Sequence, residues 1–543
     1  MKKLRGWLWI IVVIGGVMPS QALGASAPCL RPASNTVADP PALRSSGGNL
    51  TVNLSYNTST DPAGRTLYCF TLPDGRLSPT LYVGPGDRMT VNVTNNLPAA
   101  APASAMRMDS NACGADSMDG SSVNIHYHGL NISPACHSDE VIRTLINSGQ
   151  TFTYNIAFPA DEPPGLYWYH PHVHTLAENA VLGGATGAIV VSGIERLQPS
   201  VAGLRQRILV VRDQTAPGTP ACAVTTGKPV PSWNLTLNYI PIDSQPAVIE
   251  MRSGGKEFWR VANAAADTIL DLQVVFDGVP QTLSLVALDG VPVGSQDATQ
   301  KGKPVPATDM RLPPGSRVEF VVAAPRTGVK SAQFITQKID TGPAGDCDPM
   351  RLLVTLASAP TASAAAPAAP SKSSASSTQT RFAKLAGSAT TKTRTLYWCE
   401  DSVNNVFWVT TEVCDPANPH PFPKPPNPAP VPLVTTTQGS VEDWVIENRT
   451  QENHEFHIHQ IHFLVLSQDN FPAGTRPVQA IQGQMMDVIE TPYWDGVSGH
   501  PYPSVKVRMD FRGADIGEFV FHCHILNHED AGMMAIVKVL AKP

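Results

Sequence analysis

Short β-rich runs of mostly apolar residues occur along the chain, set among Pro/Gly turns. Arg207–Val211, Gln273–Phe276 and Val318–Val322 are examples, each read as a strand of a β-sandwich. One longer pattern occurs three times. Gly86-Asp87-Arg88-Met89-Thr90-Val91-Asn92-Val93-Thr94-Asn95 resembles Gly254-Gly255-Lys256-Glu257-Phe258-Trp259-Arg260-Val261-Ala262-Asn263, and both resemble Gly439-Ser440-Val441-Glu442-Asp443-Trp444-Val445-Ile446-Glu447-Asn448. In each copy a turn glycine precedes a β-rich stretch that ends in asparagine at the same offset. The copies are spaced by the size of a domain rather than of a solenoid repeat. An all-β chain of three successive sandwiches follows, expected at 28–195, 196–357 and 391–543, with an Ala/Ser/Pro-rich linker at 358–390.

On a strand a period-two rule sorts side chains within single motifs by face. In His522-Cys523-His524-Ile525-Leu526-Asn527-His528, followed by Gly532-Met533, an extended start turns His522 and His524 one way and Cys523 the other. One tripeptide then serves two metal sites. Cys523, His528 and Met533 supply thiolate, imidazole and weak thioether, the donor set of a blue-copper electron-transfer centre. His126-Tyr127-His128-Gly129 and His170-Pro171-His172 each place two imidazoles on one face, as do His457 and His459 in His454-Glu455-Phe456-His457-Ile458-His459. The odd offset from His454 to His457 turns His454 away from that pair, toward Cys523 and His528. Parity thus offers eight histidines to one centre and two histidines with a cysteine to another.

These motifs, in this order, resemble those of three-domain, laccase-like multicopper oxidases, and the likeness covers nearly the whole chain beyond its N-terminus. The last of them, His522 to Met533, is similar to that of bacterial laccases. The resemblance implies cupredoxin-like Greek-key sandwiches and four copper ions. It implies His126 and His457 at a type 2 copper, and His128, His170, His172, His459, His522 and His524 at a type 3 pair. It implies His454, Cys523, His528 and the axial Met533 at a type 1 copper. No ligand position is missing. Glu455 stands where the family often has proline and Gln460 where it often has glycine, and neither is a ligand position. A lone His-x-His is most often structural, but ten of the fifteen histidines fall in these motifs. His137, His174, His420, His462 and His500 read as surface or core residues, with His137 and His174 close enough in sequence to support a ligand. No histidine lies between His174 and His420, so the middle sandwich offers no imidazole. The eight-histidine cluster must then sit where the first and third sandwiches meet, four from each, so that copper binding couples to stability.

In activity, the resemblance implies one-electron oxidation of phenols or aromatic amines coupled to four-electron reduction of O2 to water. Electrons are expected to enter the type 1 site through a partly exposed His454 and to pass from Cys523 to its covalent neighbours His522 and His524. The Met533 thioether should keep the potential lower than an apolar residue would. Proton-supplying carboxylates are implied at Glu529 and at Asp139 or Glu140. Oxidation of Cu(I) for copper tolerance is the alternative, but relatives of that kind often carry a methionine-rich insertion. Here Met106, Met108 and Met118 and the pair Met485-Met486 are sparse, and core packing explains isolated methionines equally well. A non-catalytic copper protein of this architecture would typically lack a ligand.

Composition adds compartment rather than chemistry. Charged residues make up 15% and the net charge is −6, without the basic patch that a nucleic-acid partner needs. Lys2, Lys3 and Arg5 precede an apolar run, Leu8–Val17, and small residues at Ala22-Leu23-Gly24 or Ala25-Ser26-Ala27, which reads as a secretory signal over 1–27. That run is short for a membrane span. A secreted or periplasmic monomer, with no stable membrane insertion after cleavage, is the expectation. Setting Cys523 aside leaves eight cysteines, an even number suited to an oxidising compartment. Sequence proximity favours Cys113–Cys136 and Cys399–Cys414, the first bracing the loops that flank His126 and His128.

Overall fold

The computed structural model describes residues 28–100, 106–107, 113–216, 222, 224–225, 228–243, 245–294, 302–359, 382–423, 430–477 and 479–543. The expected signal segment, Met108 and most of the expected linker lie outside these residues. The described residues are organised into three pairs of β-sheets with a few short helices.

In the first pair an inward–outward alternation is visible residue by residue. Leu50, Val52 and Leu54 of the strand Asn49–Thr60 turn inward, as do Met89, Val91 and Val93 of Arg88–Asn95 and Phe152, Tyr154 and Ile156 of Thr151–Ala157. Their neighbours face outward, the pattern of a sheet packed on one face only. The facing sheet runs Ala42–Arg44, Thr80–Val83, Gly187–Val191, Leu166–His170, His126–His128. Its last three strands are buried at every residue. Trp168, Ala188 and Val190 explain part of this, because they pack outward against Ile208, Val210 and Ala262 of the middle pair.

The three copies of the repeated pattern build the same unit. Arg88–Asn95, Lys256–Asn263 and Val441–Asn448 each run parallel to an earlier strand, respectively Asn49–Thr60, Arg205–Thr215 and Lys392–Asp401. Each runs antiparallel to a later one, Thr151–Ala157, Arg317–Ala323 and Ser504–Asp510. The terminal asparagine explains why the motif ends as it does. Asn95, Asn263 and Asn448 are fully buried, and each amide donates to backbone carbonyls of neighbouring loops: Ser121 and Ile146, Thr268 and Leu312, and Glu452, Thr491 and Pro492. Each side-chain oxygen accepts the N–H two residues on, in Leu97, Ala265 and Thr450. A buried backbone group needs such a partner, so one amide closes each strand into its loop. In the third copy that loop leads directly to His454.

The runs expected as strands lie within Arg205–Thr215, Leu270–Phe276 and Arg317–Ala323. The expected start of the linker is corrected by two residues: the strand Arg351–Ala359 stays paired with Ala247–Arg252 through Ala359. Its expected end is packed as well, with Phe382 and Leu385 buried against Val441, Leu464 and Met485. Four disulfides join Cys29–Cys69, Cys113–Cys136, Cys222–Cys347 and Cys399–Cys414, leaving Cys523 as the free thiol. Both proximity-based pairings occur. Among the described residues no helix is long and apolar enough to cross a membrane.

Trp259 is fully buried in the middle sandwich, edge-on to Phe334, and its indole N–H donates to Glu257 at 2.9 Å. Trp259→Ala is therefore expected to destabilise the protein by about 3–5 kcal/mol in urea or thermal melts. A loss below ~1 kcal/mol would contradict this core.

Candidate metal centres

Strand register sets the paired histidines side by side. His126 lies opposite His170 where His126–His128 pairs with Leu166–His170. His457 lies opposite His522, and Phe456 opposite Cys523, where His454–Ile458 pairs with Gly517–Cys523. The two strand pairs then meet through their histidines. His126 stacks on His459 with ring centroids 3.6 Å apart, and His128 on His457 at 3.9 Å. Three groups of ligand atoms converge: His126, His128 and His457; His128, His170 and His524; and His172, His459 and His522. All eight rings are buried.

Outward hydrogen bonds decide which nitrogen of each ring turns inward. Nδ1 of His170 and of His522 donates to a backbone carbonyl, Pro171 and Cys523 respectively, both at 2.9 Å. Nδ1 of His457 donates to the Asp487 carbonyl at 2.8 Å, and Nδ1 of His126 to the Asp139 carboxylate at 2.9 Å. These rings present Nε2. His128 is reversed: its Nε2 meets Asp487 Oδ1 at 3.2 Å, leaving Nδ1 to turn inward. The inward atoms His126 Nε2, His128 Nδ1, His170 Nε2 and His457 Nε2 are buried without a hydrogen-bond partner. His172 Nε2 and His459 Nε2 both approach His522 Nε2, at 3.2 and 3.3 Å. Burial drives the pKa of all eight imidazoles downward, His172 to about 4. Neutral rings with unpartnered lone pairs converging in a dry pocket fit metal ions and fit no ordinary hydrogen-bond network.

On the other face of the same strands lies the thiolate centre. Cys523 Sγ is 3.7 Å from both His454 Nδ1 and His528 Nδ1, which are 3.0 Å from each other. The Glu455 N–H donates to this sulfur at 3.4 Å. Met533 is fully buried, and its backbone binds both neighbours: its N–H donates to the His528 carbonyl and its carbonyl accepts from the Cys523 N–H. This donor set fits copper.

The expected electron entry at His454 is corrected. His454 is 0% exposed and its Nε2 is hydrogen-bonded to Thr450 Oγ1 at 2.8 Å. His528, 7% exposed, is instead the ring that lines a cavity. It stacks on Phe407 at 4.4 Å and shares this 290 Å³ cavity with Trp233, Asp267, Asp346, Glu400 and Glu452. Among the described residues no Lys or Arg lines this cavity. Burial, and then the adjacent Glu452, pushes Glu400 up to about 7.

The two candidate acids of the first motif separate cleanly. Asp139 faces the cluster: besides His126, it accepts from the Tyr127 N–H at 2.9 Å and from Gln460 Nε2 at 2.6 Å. Burial pushes it up to about 7 against those hydrogen bonds. Glu140 instead ties down its own loop, accepting from the N–H groups of Ile142 and Arg143 and from the Thr144 hydroxyl. Gln460 has φ +60°, a left-handed backbone that explains why glycine suits the position. Glu529 is fully buried, 3.7 Å from His172 Nδ1 and 3.4 Å from His522 Nδ1. Burial first, then Asp530 and Cys523, raises it well above the carboxylate range.

Of the five remaining histidines, His462 alone is fully buried, 3.0 Å from the Asp289 carbonyl and 3.4 Å from Asp487 Oδ2. His137 is exposed and stacks on Phe152, and His174 sits near Asp530 at 3.8 Å. Sequence reasoning missed Asp487 and Arg317, which carry no motif.

The sequence pattern of the multicopper oxidase family matches residues 116–195 and again 399–543. The multicopper oxidase mco of Staphylococcus aureus is 37% identical over 102 residues, which are 18% of this chain and 20% of that protein. The laccase of Bacillus subtilis (strain 168) is 22% identical over 69% of this chain and 71% of its own. Among solved structures, a multicopper oxidase of Campylobacter jejuni described as a metallo-oxidase is 20% identical and covers 94% of this chain and 96% of its own, with a TM-score of 0.63. McoA from Aquifex aeolicus is 17% identical over 93% and 99%, with a TM-score of 0.62, so the cupredoxin-like architecture is shared. The two segments that match the multicopper oxidase pattern, together less than half of the chain, are also the two that carry every converging histidine, and over those segments the chain is similar to that copper-dependent family.

Proposed function

We propose that this chain is a laccase-like oxidase, taking electrons singly from a small reductant, a phenol or aromatic amine, and passing them to O2, which leaves as water. The observation that carries this reading is the opposed placement of Cys523 and its neighbours. The sulfur joins His454 and His528 on one face, while His522 and His524 join two different groups of imidazoles on the other. In this reading four copper ions, one type 1, one type 2 and a type 3 pair, supply one-electron storage and the site of O2 reduction.

The chain's own residues do the rest. His528 offers a ring edge to a reductant in the cavity, and Phe407 holds that ring flat from one side. The Cys523 backbone connects the two centres by covalent bonds alone. His126 and His457 take the type 2 position, His128, His170, His172, His459, His522 and His524 the type 3 positions, and Met533 the axial one. Asp139 and Glu529, both pushed upward by burial, hold protons beside His126 and beside His172 and His522. Glu140 drops out of that role. The three sandwiches serve as domains at 28–195, 196–359 and 391–543. Four disulfides support a secreted or periplasmic location.

One observation favours a second reading, in which the reductant is a cation such as Cu(I). Asp267, Asp346, Glu400 and Glu452 surround the entry to His528 with no Lys or Arg among the described lining residues, and Asp267 Oδ2 is buried without a partner. Such a cavity concentrates cations.

Oxygen uptake by the copper-loaded protein, offered a methoxyphenol and Cu(I) in parallel, separates the two: uptake with the phenol supports the laccase, and uptake with Cu(I) alone supports the metal oxidase. Silence with both would sink the oxidase reading. In the cationic reading, Glu400→Gln with Glu452→Gln raises KM for Cu(I) about tenfold, equivalent to ~1.4 kcal/mol, and leaves KM for a neutral phenol unchanged. An equal effect on both would remove electrostatic selection from the account. Cys523→Ser is expected to abolish the blue absorption and turnover while the thermal melt stays within a few degrees of wild type. Retained oxidase activity would refute the electron path.

A further inference from the structure

Arg317 belongs to the sandwich that supplies no imidazole, yet it is fully buried at the histidine cluster. Its Nη1 donates to Asp487 Oδ1 and its Nη2 to Asp487 Oδ2, both at 2.6 Å. Asp487 in turn reaches two rings from two different sandwiches. Its Oδ1 meets His128 Nε2 at 3.2 Å, and its backbone carbonyl accepts from His457 Nδ1 at 2.8 Å. The guanidinium is itself immobilised: Nε donates to the Leu166 carbonyl and Nη1 also to the Gly315 carbonyl, each at 3.1 Å. The Arg317 N–H donates to Asp289 Oδ1 at 2.8 Å. Leu166 opens the strand that ends in His170, so one side chain touches all three sandwiches.

The backbone leaves room for this arrangement. Gly129 directly follows His128 with φ +81°, and a Cβ there would lie 2.3 Å from Arg317 Nη2 and 2.5 Å from Asp487 Oδ2. Gly315, at φ +87°, comes so close to the cluster that a Cβ would lie 3.0 Å from His128 Cε1 and from His524 Cδ2.

We propose that Arg317 is a positioning residue of the trinuclear site: its two-point grip on Asp487 fixes which nitrogen His128 turns inward. The inference rests on the trinuclear reading above. A planar guanidinium holds both carboxylate oxygens at once and so fixes the rotation of the carboxylate, which a single point charge does not. With Oδ1 held against His128 Nε2, that ring cannot flip, and only Nδ1 is left to face the cluster. The Asp487 carbonyl, on the same residue, selects the opposite nitrogen of His457. The middle sandwich therefore contributes to the site through orientation rather than ligation.

The test compares copper retention against a chelator and the type 2 EPR signal in fully loaded wild type, Arg317→Met and Arg317→Lys. Arg317→Met is expected to keep the type 1 blue band, to hold the trinuclear copper about 10–100-fold more weakly, and to show an altered type 2 signal. Arg317→Lys, which restores charge but not the fork, should fall between. Should Arg317→Met lose its fold and blue band together, the double variant Arg317→Met with Asp487→Asn removes the unpaired charge and is expected to show the same copper loss with the blue band kept. Wild-type retention and an unchanged type 2 signal in a folded variant would overturn the role of Arg317. A wild-type chain without any type 2 signal would overturn the trinuclear reading itself.

Discussion

Eight imidazoles packed into a water-poor interface impose the condition on which the rest of this structure depends. Each ring carries an N–H and a lone pair, and neither can be left to solvent there. The protein resolves the two halves of the problem separately. Outward nitrogens are assigned to Asp139, Asp487 and the carbonyls of Pro171, Asp487 and Cys523, while inward nitrogens are left facing one another. In the proposed reading copper satisfies the inward half, which would couple folding of the interface to loading of the site.

The threefold repeat is preserved where it builds sandwiches and abandoned where it builds chemistry. Asn95, Asn263 and Asn448 perform the same closure in every copy. Histidines occur only in the outer two. The middle copy has instead been fitted around them: Gly315 touches two ligand rings, and Trp233, Asp267 and Asp346 form one wall of the cavity at His528. A scaffold without histidines thus shapes both the cavity at His528 and the packing around the histidine cluster.

The short helix Leu526–Asp530 is where these roles meet. Its first N–H, at Leu526, donates to the Ala266 carbonyl, and the Asn527 N–H donates to Asp267, both in the middle sandwich. Asp530 accepts from the N–H groups of Thr175 and Glu178 in the first. Between them sit His528, at the cavity, and Glu529, against His172 and His522. One helical turn therefore carries the cavity-lining ring and a buried acid beside the cluster, which ties the spacing of the two centres to the docking of all three sandwiches.

The sequence by itself determined what a period of two can carry. Parity on a strand separated Cys523 from His522 and His524 and sent His454 to one centre and His457 to the other, because side-chain direction there is a local property of the backbone. The repeat likewise marked three sandwiches, and the absence of histidine from the middle one located the cluster between the outer two. Only tertiary structure decided that His528 rather than His454 faces the cavity, and that Asp139 rather than Glu140 reaches a ligand. It also decided that Asp487, Arg317 and His462 stand behind the rings. Those outcomes depend on which segments, hundreds of residues apart, come within hydrogen-bond distance. That distance is set by the docking of one sheet on another and leaves no periodic trace in the chain.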